Sequence, residues 1–81
     1  MGTTELIADH VNWMSGEAPR ETFRAEVKIR YTAREAWAQV TPLEGGRQAR
    51  VQFDAPQRDV TPGQAAVFYA GELLVGGGII V

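Results

Sequence analysis

Apolar and polar residues alternate with a period of two along much of the chain. The longest such stretch runs from Thr22 to Tyr31. Its apolar positions are Phe23, Ala25, Val27, Ile29 and Tyr31, and its polar positions are Arg24, Glu26, Lys28 and Arg30. Because successive side chains of a strand point to opposite faces, this alternation predicts a strand with one buried and one solvated face.

Two further segments predict a hairpin in the middle of the chain. Residues 36–41 alternate like the first stretch, and Pro42 is expected to end that strand because proline lacks an N–H for the ladder. A Glu-Gly-Gly turn follows, after which residues 49–54 predict the returning strand. The Ala-Pro pair at 55–56 is expected to close it.

The last part of the chain is more uniformly apolar. Ala65 to Tyr69 is a continuous apolar run, which is typical of a strand that is covered on both faces or lies in a closed barrel. A turn at 70–72 leads to another apolar strand from Leu73, and the glycines at 76–78 interrupt it before Ile79. Glycines inside a strand indicate a bulge, a barrel corner or the close approach of another backbone.

These segments, with another strand expected over residues 3–11, give about six short strands and little room for a long helix. Such a sheet leaves unpaired edges unless it closes on itself. We therefore predict an all-β fold, a small antiparallel β-barrel of about six strands, that spans residues 1–81 as a single domain.

The composition excludes several kinds of chemistry. The 81 residues include no cysteine, which rules out disulfides, thiol nucleophiles and thiolate metal ligands. His10 is the single histidine and cannot form a histidine metal cluster. No apolar run approaches the roughly 20 residues that a membrane helix needs, and no signal-peptide pattern opens the chain. We expect a cytoplasmic protein without metal or membrane contact.

The distribution of charge is more informative than its sum. A formal net charge of -2 is unusual for a nucleic-acid binder, because such domains are usually basic. The basic residues, however, cluster in one short stretch that holds Arg20, Arg24, Lys28, Arg30 and Arg34. Arg24, Lys28 and Arg30 share one face of the predicted strand and could follow successive phosphates. The alternative is a solvated outer face whose charge Glu26 balances.

Several segments together are more specific than a generic barrel. In chain order they read DHVNW at 9–13, VKIRY at 27–31, VQFDAPQ at 51–57, VTPGQAAVFY at 60–69 and LVGGGII at 74–80. In order and spacing they resemble the C-terminal domain of the tRNA-specific 2-thiouridylases. The resemblance covers nearly the whole chain, and its most specific part is the stretch from Phe53 to Tyr69 together with the glycine triplet.

The resemblance implies a parent enzyme that replaces the 2-oxygen of the wobble uridine of certain tRNAs with sulfur. In that family an N-terminal domain uses ATP to adenylate the uridine, two cysteines handle the sulfur, and a small central domain follows. The last domain is a barrel, similar to those of translation elongation factors, that helps to hold the tRNA. The chain would then be a fragment without catalysis or cofactor of its own, whose partners are tRNA and the upstream catalytic domains.

Contacts to tRNA carry over only at matching motif positions. The Arg-Tyr pair that ends the alternating strand corresponds to Arg30 and Tyr31, and the glutamine of the Thr-Pro-Gly-Gln turn corresponds to Gln64. The resemblance implies polar contacts from these three residues to the sugar-phosphate backbone, with Lys28 and Arg24 as further candidates. For Tyr31 the alternative is core packing. Gln64, which we expect its turn to present outward, could also satisfy the backbone of that turn.

Other classes of function stay open. A purely structural barrel would support the catalytic domains without tRNA affinity of its own, and a free-standing barrel would bind a small ligand in an apolar cavity. An independent enzyme would need a nucleophile, base or metal constellation that this sequence lacks. Trp13 and Trp37 are expected to pack rather than to stack on bases. Trp37, on the polar side of its strand, is the better candidate for contact with a neighbouring domain.

Overall fold

A computed structural model describes residues 2–29, 35–58 and 60–81. Within these residues the chain forms six strands: β1 (Thr3–Trp13), β2 (Phe23–Ile29), β3 (Glu35–Leu43), β4 (Gln48–Gln57), β5 (Ala65–Ala70) and β6 (Leu73–Ile80). A short 3-10 turn, Glu44–Gly46, joins β3 to β4. Neighbouring strands are antiparallel and close into a barrel in the order β1-β4-β3-β2-β5-β6. The predicted all-β barrel of about six strands is confirmed.

Most inward side chains are alanine or β-branched, with a few aromatic rings among them, and this suits a narrow barrel. Its interior is filled mainly by β-branched, aromatic and alanine side chains: Leu6, Ala8, Trp13, Ala25, Val27, Ile29, Ala38, Val40, Ala49, Val51, Phe53, Ala66, Phe68 and Ile80. The diameter of a barrel grows with its strand number, so six strands leave room for few large residues. The alternation predicted for β2 is confirmed over the described residues, because Ala25, Val27 and Ile29 are buried, Phe23 is half-buried and the polar positions face outward.

Trp13 packs at the end of β1, beneath the 3-10 turn. Its side chain is 8% exposed, and its Nε1–H donates a hydrogen bond to the Gly46 carbonyl over 2.7 Å. Its ring meets Phe23 edge-on at a centroid distance of 6.0 Å and lies 5.9 Å from the ring of Phe68. The packing role predicted for Trp13 is confirmed, and the polar edge of the buried indole has the partner that burial demands.

β3 continues past the proline that was expected to end it. The strand runs to Leu43, and Pro42 pairs with Ala49 of β4. On the other side of β3, its pairing with β2 ends at Val40, which pairs with Phe23. Pro42 therefore stands where β3 has one paired neighbour, and proline is tolerated at such an edge position.

The expected end of β4 at the Ala-Pro pair is also wrong. β4 continues through Ala55 and Pro56 to Gln57, which pairs with Thr3. The register between β1 and β4 shifts between Thr3 and Glu5. Pro56 lies opposite this irregular stretch, and bulges are among the few places where a sheet accepts proline.

The glycine triplet lies inside a continuous β6 and lets other backbones approach it closely. A Cβ on Gly76 would stand 2.6 Å from the carbonyl oxygen of Asn12, and one on Gly78 would stand 2.7 Å from that of Asp9. A Cβ on Gly77 would meet the carbonyl oxygen of Ala66 at 2.8 Å. The triplet therefore fits β6 between β1 and β5, as glycines within a strand indicate.

Candidate nucleic-acid interface

Arg24 and Lys28, the described members of the predicted basic row, lie on the outer surface that β2 forms with β3 and β4. We call this surface the polar face, formed by Arg24, Glu26, Lys28, Glu35, Trp37 and Asp54. It is placed by strand register, because Arg24 pairs with Gln39, Glu26 with Trp37 and Lys28 with Glu35. Strand alternation turns all of these side chains away from the core.

Arg24 is held by contacts within the polar face. Its Nη1 and Nη2 donate hydrogen bonds to the two carboxylate oxygens of Asp54 over 2.6 and 2.7 Å. Its guanidinium carbon lies 5.5 Å from the ring centroid of Trp37, within cation–π range. The two hydrogen bonds raise the pKa of Arg24 and lower the pKa of Asp54. A phosphate would have to compete with Asp54 for this guanidinium.

Lys28 and Glu26 lie among acidic neighbours. Lys28 pairs with Glu35 on β3 and with Val67 on β5, and its side chain is partly buried. The pKa of Glu26 is raised, chiefly by a hydrogen bond with Glu35 and then by partial desolvation. Glu26 thus retains its proton to a higher pH than an isolated glutamate does.

The charges of the described polar face do not favour phosphate strongly. Two cations, Arg24 and Lys28, stand among three acidic residues, Glu26, Glu35 and Asp54. The charges are mixed, as in the solvated outer face that the sequence offered as an alternative, but Asp54 pairs with Arg24 and Glu26 bonds to Glu35. Contacts from Arg24 and Lys28 to tRNA stay a prediction, and Arg24 is the weaker candidate because its donors are already engaged.

Arg30 and Tyr31 lie outside the described residues. The described chain stops at Ile29, the last residue of β2, and resumes at Glu35, the first of β3. The contacts predicted for the Arg-Tyr pair therefore stay predictions.

Gln64 is not presented outward as its turn had suggested. Its side chain is buried, with the residue only 9% exposed, and its Oε1 accepts a hydrogen bond from the Thr61 N–H over 3.0 Å. Its backbone carbonyl accepts from the Ile80 N–H, and the N–H of Gly63 donates to the Ile80 carbonyl. These bonds tie the turn to the end of β6, so the amide serves the turn's own backbone. A tRNA contact from Gln64 stays a prediction, and it requires the tRNA to reach this buried side chain.

Trp37 is exposed on the polar side of β3, as predicted. About half of the residue is accessible, at 49%. Contact between this indole and a neighbouring domain stays a prediction.

In the part of the chain that the structure describes, no group of three or more His, Asp or Glu side chains could hold a metal ion. Among the same residues, no helix is long and apolar enough to cross a membrane. Every buried side-chain nitrogen or oxygen there has a hydrogen-bond partner. The described residues thus offer no unpaired polar group that would mark an internal ligand site.

Sequence reasoning missed the partners of the basic row. Asp54 lies 30 residues from Arg24 and two strands away, because β3 separates β2 from β4. Local alternation predicted that both residues face outward but could not supply the register that brings them together. The sequence did indicate that Arg24 in β2 and Asp54 in the returning strand both occupy outward-facing positions, which is a condition for their pairing.

A family model described as the aminomethyltransferase beta-barrel domain matches residues 3–80. The chain belongs to this family of β-barrel domains. The match covers all six strands of the barrel.

The curated relatives carry the name of a particular tRNA-modifying enzyme. The chain is 54% identical over 76 residues to the tRNA-specific 2-thiouridylase MnmA of Acetivibrio thermocellus, a match that covers 94% of this chain and 21% of that protein. It is 51% identical to MnmA 2 of Caldanaerobacter subterraneus and 47% identical to MnmA of Heliobacterium modesticaldum, again over 94% of this chain and 21% and 20% of those proteins. The resemblance to the C-terminal domain of the tRNA-specific 2-thiouridylases is confirmed, and the chain spans about a fifth of the length of these relatives.

Proposed function

We propose that this barrel is the tRNA-binding and domain-packing part of a tRNA 2-thiouridylase that uses ATP, bound elsewhere in the enzyme, to thiolate the wobble uridine. The observation that carries the proposal is the match of nearly the whole barrel to relatives with that name. The barrel itself supplies no catalytic group in this proposal. Its task is to position tRNA relative to the upstream catalytic domains.

Within this proposal the main contacts come from Arg30 and Tyr31, with Lys28 beside them on the chain. Arg24 contributes less, because Asp54 already occupies both of its terminal nitrogens. Contacts of this kind hold the sugar-phosphate backbone and do not read bases. They would position the tRNA and leave the choice of uridine to the catalytic domains.

The test is the binding of an unmodified tRNA transcript to the 81-residue chain, whose strands close around their own core. Fluorescence anisotropy is recorded from about 50 to 200 mM KCl, a range over which phosphate contacts lose affinity steeply. Arg30→Ala is expected to weaken binding and to reduce the slope of log K against log salt by about one. Tyr31→Ala is expected to weaken binding with the slope unchanged, because its hydroxyl is neutral and a contact from it to a phosphate releases no counterion.

Arg24→Ala is the comparison variant, because it removes one arginine from the same alternating stretch of sequence. We expect it to reduce the salt slope by less than Arg30→Ala does, because Asp54 already occupies both terminal nitrogens of Arg24. If the combined replacement of Arg30, Tyr31 and Gln64 by alanine changes neither affinity nor slope, the assigned contacts are refuted.

The charge balance of the polar face favours one second candidate, a barrel that only supports the catalytic domains. This function predicts no measurable affinity for tRNA even at about 50 mM salt, where counterion release favours binding most. Both functions assume that the barrel is part of a larger thiouridylase, and the reading frame of the source gene upstream of the Thr3 codon tests that assumption. A nucleotide-binding glycine loop and two separated cysteines there would support a thiouridylase parent, and a stop codon close to Thr3 would refute it.

A further inference from the structure

β5 and β6 differ from the other strands because they carry no charged side chain on either face. Their inward residues, such as Ala66, Phe68 and Ile80, are buried in the core. Their outward residues are also apolar or aromatic. Val67, Tyr69, Leu74 and Ile79 lie on this outer surface, and Leu73, Val75 and Met14 adjoin it at one end of the barrel. We call these seven residues the β5–β6 face.

The β5–β6 face is open in this chain. Leu73 is 69% exposed and Ile79 is 42% exposed, while the inner faces of their strands are covered by the core. Strands that are apolar on both faces are typical of sheets that are covered on both sides. Scattered exposed apolar residues are ordinary, but an adjoining set on two paired strands marks an interaction site.

A groove at one end of the β5–β6 face adds a concave surface to it. It has a volume of about 290 Å³ and is lined by Met14, Ser15, Leu73, Leu74 and Val75. Its wall is fixed by a backbone hydrogen bond of 2.9 Å from the Met14 N–H to the Val75 carbonyl. An apolar side chain of a partner could enter this groove without displacing the strand pairing.

We propose that the β5–β6 face is the surface on which this barrel packs against the upstream domains of a longer chain. The inference rests on the proposed function, because it takes the barrel to be one domain of a thiouridylase. The relatives are about five times as long as the matched segment, so most of their chain lies outside it and supplies candidate neighbours for the barrel. β1 pairs with β6 from Ala8 to Trp13, and its first residue, Thr3, pairs with Gln57 of β4.

The size of the face favours a tethered neighbour over a free partner. Seven side chains form it, whereas a specific complex between separate proteins uses roughly 20 to 30 residues a side. A covalent tether makes association intramolecular, so a smaller apolar contact is sufficient. A second copy of the barrel would lack this advantage.

The strand order keeps the β3 and β4 part of the polar face clear of such a neighbour, whereas its β2 part borders β5, with Lys28 opposite Val67. β6 and β3 are separated by β5 and β2 on one side of the barrel and by β1 and β4 on the other. Trp37 on β3 therefore points away from the β5–β6 face. A domain packed on β6 leaves the opposite surface open to a second partner.

Thiol labelling tests the inference, because the chain has no cysteine of its own. Leu74→Cys places a thiol on the β5–β6 face, and Gln39→Cys places one on exposed β3 as a matched control. Maleimide labelling at each site is followed by peptide mass spectrometry, in the 81-residue chain and in the product of the full reading frame. We expect the two thiols to react at similar rates in the short chain. In the longer protein the Leu74→Cys thiol should react about tenfold or more slowly, with the control unchanged.

Three other outcomes would overturn the inference. Equal reactivity of both thiols in the longer protein would show that the face stays open there, while tRNA binding and the thiouridylase parent remained unaffected. Protection of the Leu74→Cys thiol in the short chain that grows with protein concentration would identify a second copy as the occupant. A reading frame without upstream domains would remove the proposed function and this inference together.

Discussion

Replacing Trp13 with phenylalanine isolates one hydrogen bond at the end of the barrel. The indole Nε1–H is the donor to the carbonyl of Gly46, a buried residue, and phenylalanine has no donor to replace it. The smaller ring can keep its edge-on contact with Phe23 and its contact with Phe68. The variant thus removes the hydrogen bond and part of one ring while it leaves the aromatic cluster in place.

The expected loss follows from these contacts. A buried carbonyl without a partner costs about 1–3 kcal/mol. The space left by the missing part of the indole adds about 1 kcal/mol if it stays empty. We expect Trp13→Phe to lower the free energy of unfolding by about 2–4 kcal/mol in total. A chain of 81 residues is typically stable by roughly 4–12 kcal/mol, so the variant keeps a folded majority except at the lower end of that range.

Urea unfolding followed by far-UV circular dichroism measures this loss, and Trp37→Phe is its control. Trp37 is 49% exposed, so its replacement should change the free energy of unfolding by no more than about 0.5 kcal/mol. Fluorescence adds an independent check. Trp37→Phe keeps only the buried Trp13, and Trp13→Phe keeps only the exposed Trp37. The Trp37→Phe chain should therefore emit at shorter wavelength than the Trp13→Phe chain. Equal losses in the two variants, or a higher stability for Trp13→Phe, would refute the packing derived for Trp13.

Two further predictions concern the closing strand and the polar face. Gly77→Ala places a methyl group against the carbonyl oxygen of Ala66, which cannot swing away, and should cost about 1–3 kcal/mol in the same urea assay; unchanged stability would contradict the close approach. The second prediction concerns the pH dependence of stability. The hydrogen bonds from Arg24 lower the pKa of Asp54. The stability that this gives is present above the ordinary aspartate pKa and is lost as the pH falls through the lowered value. Asp54→Asn should therefore flatten the fall in melting temperature between about pH 5 and pH 2. Glu26→Gln should have the opposite effect and steepen any fall near pH 4–5. The reason is that the raised pKa of Glu26 stabilises the folded chain as the pH falls, and the variant lacks this contribution. The same change in both variants would refute these opposite signs.

The strands were predictable because their signal is local. A period of two needs only neighbouring residues to show which side chains face inward, and the buried positions of β2 follow it. Strand ends were less predictable, because they depend on which neighbours are paired. Pro42 has the same missing N–H in any setting, but it ends a strand only where both sides of that strand are hydrogen-bonded.

The candidate site was less predictable because it depends on distant pairings. The turn residues around Gln64 suggested an exposed loop, yet their bonds to Ile80 come from the other end of the next hairpin. Arg24 looked free for a phosphate until the barrel brought Asp54 beside it. In both cases the residue type indicated what it could bind, and the closure of the barrel decided which partner it met.

β6 combines two properties that act together. It closes the barrel through its pairing with β1, a contact between the two ends of the described chain, and Gly76 and Gly78 allow the close approach of β1 on which that pairing depends. It also carries much of the apolar outer surface, including the exposed Ile79. A domain that packs on this surface would bind the closed barrel and not the open one, so its binding would stabilise the closing strand pair. The pairing of β6 with β1 joins residues that are far apart along the chain, which makes it costly in loop entropy. A neighbouring domain packed on β6 would thus act directly on this pairing.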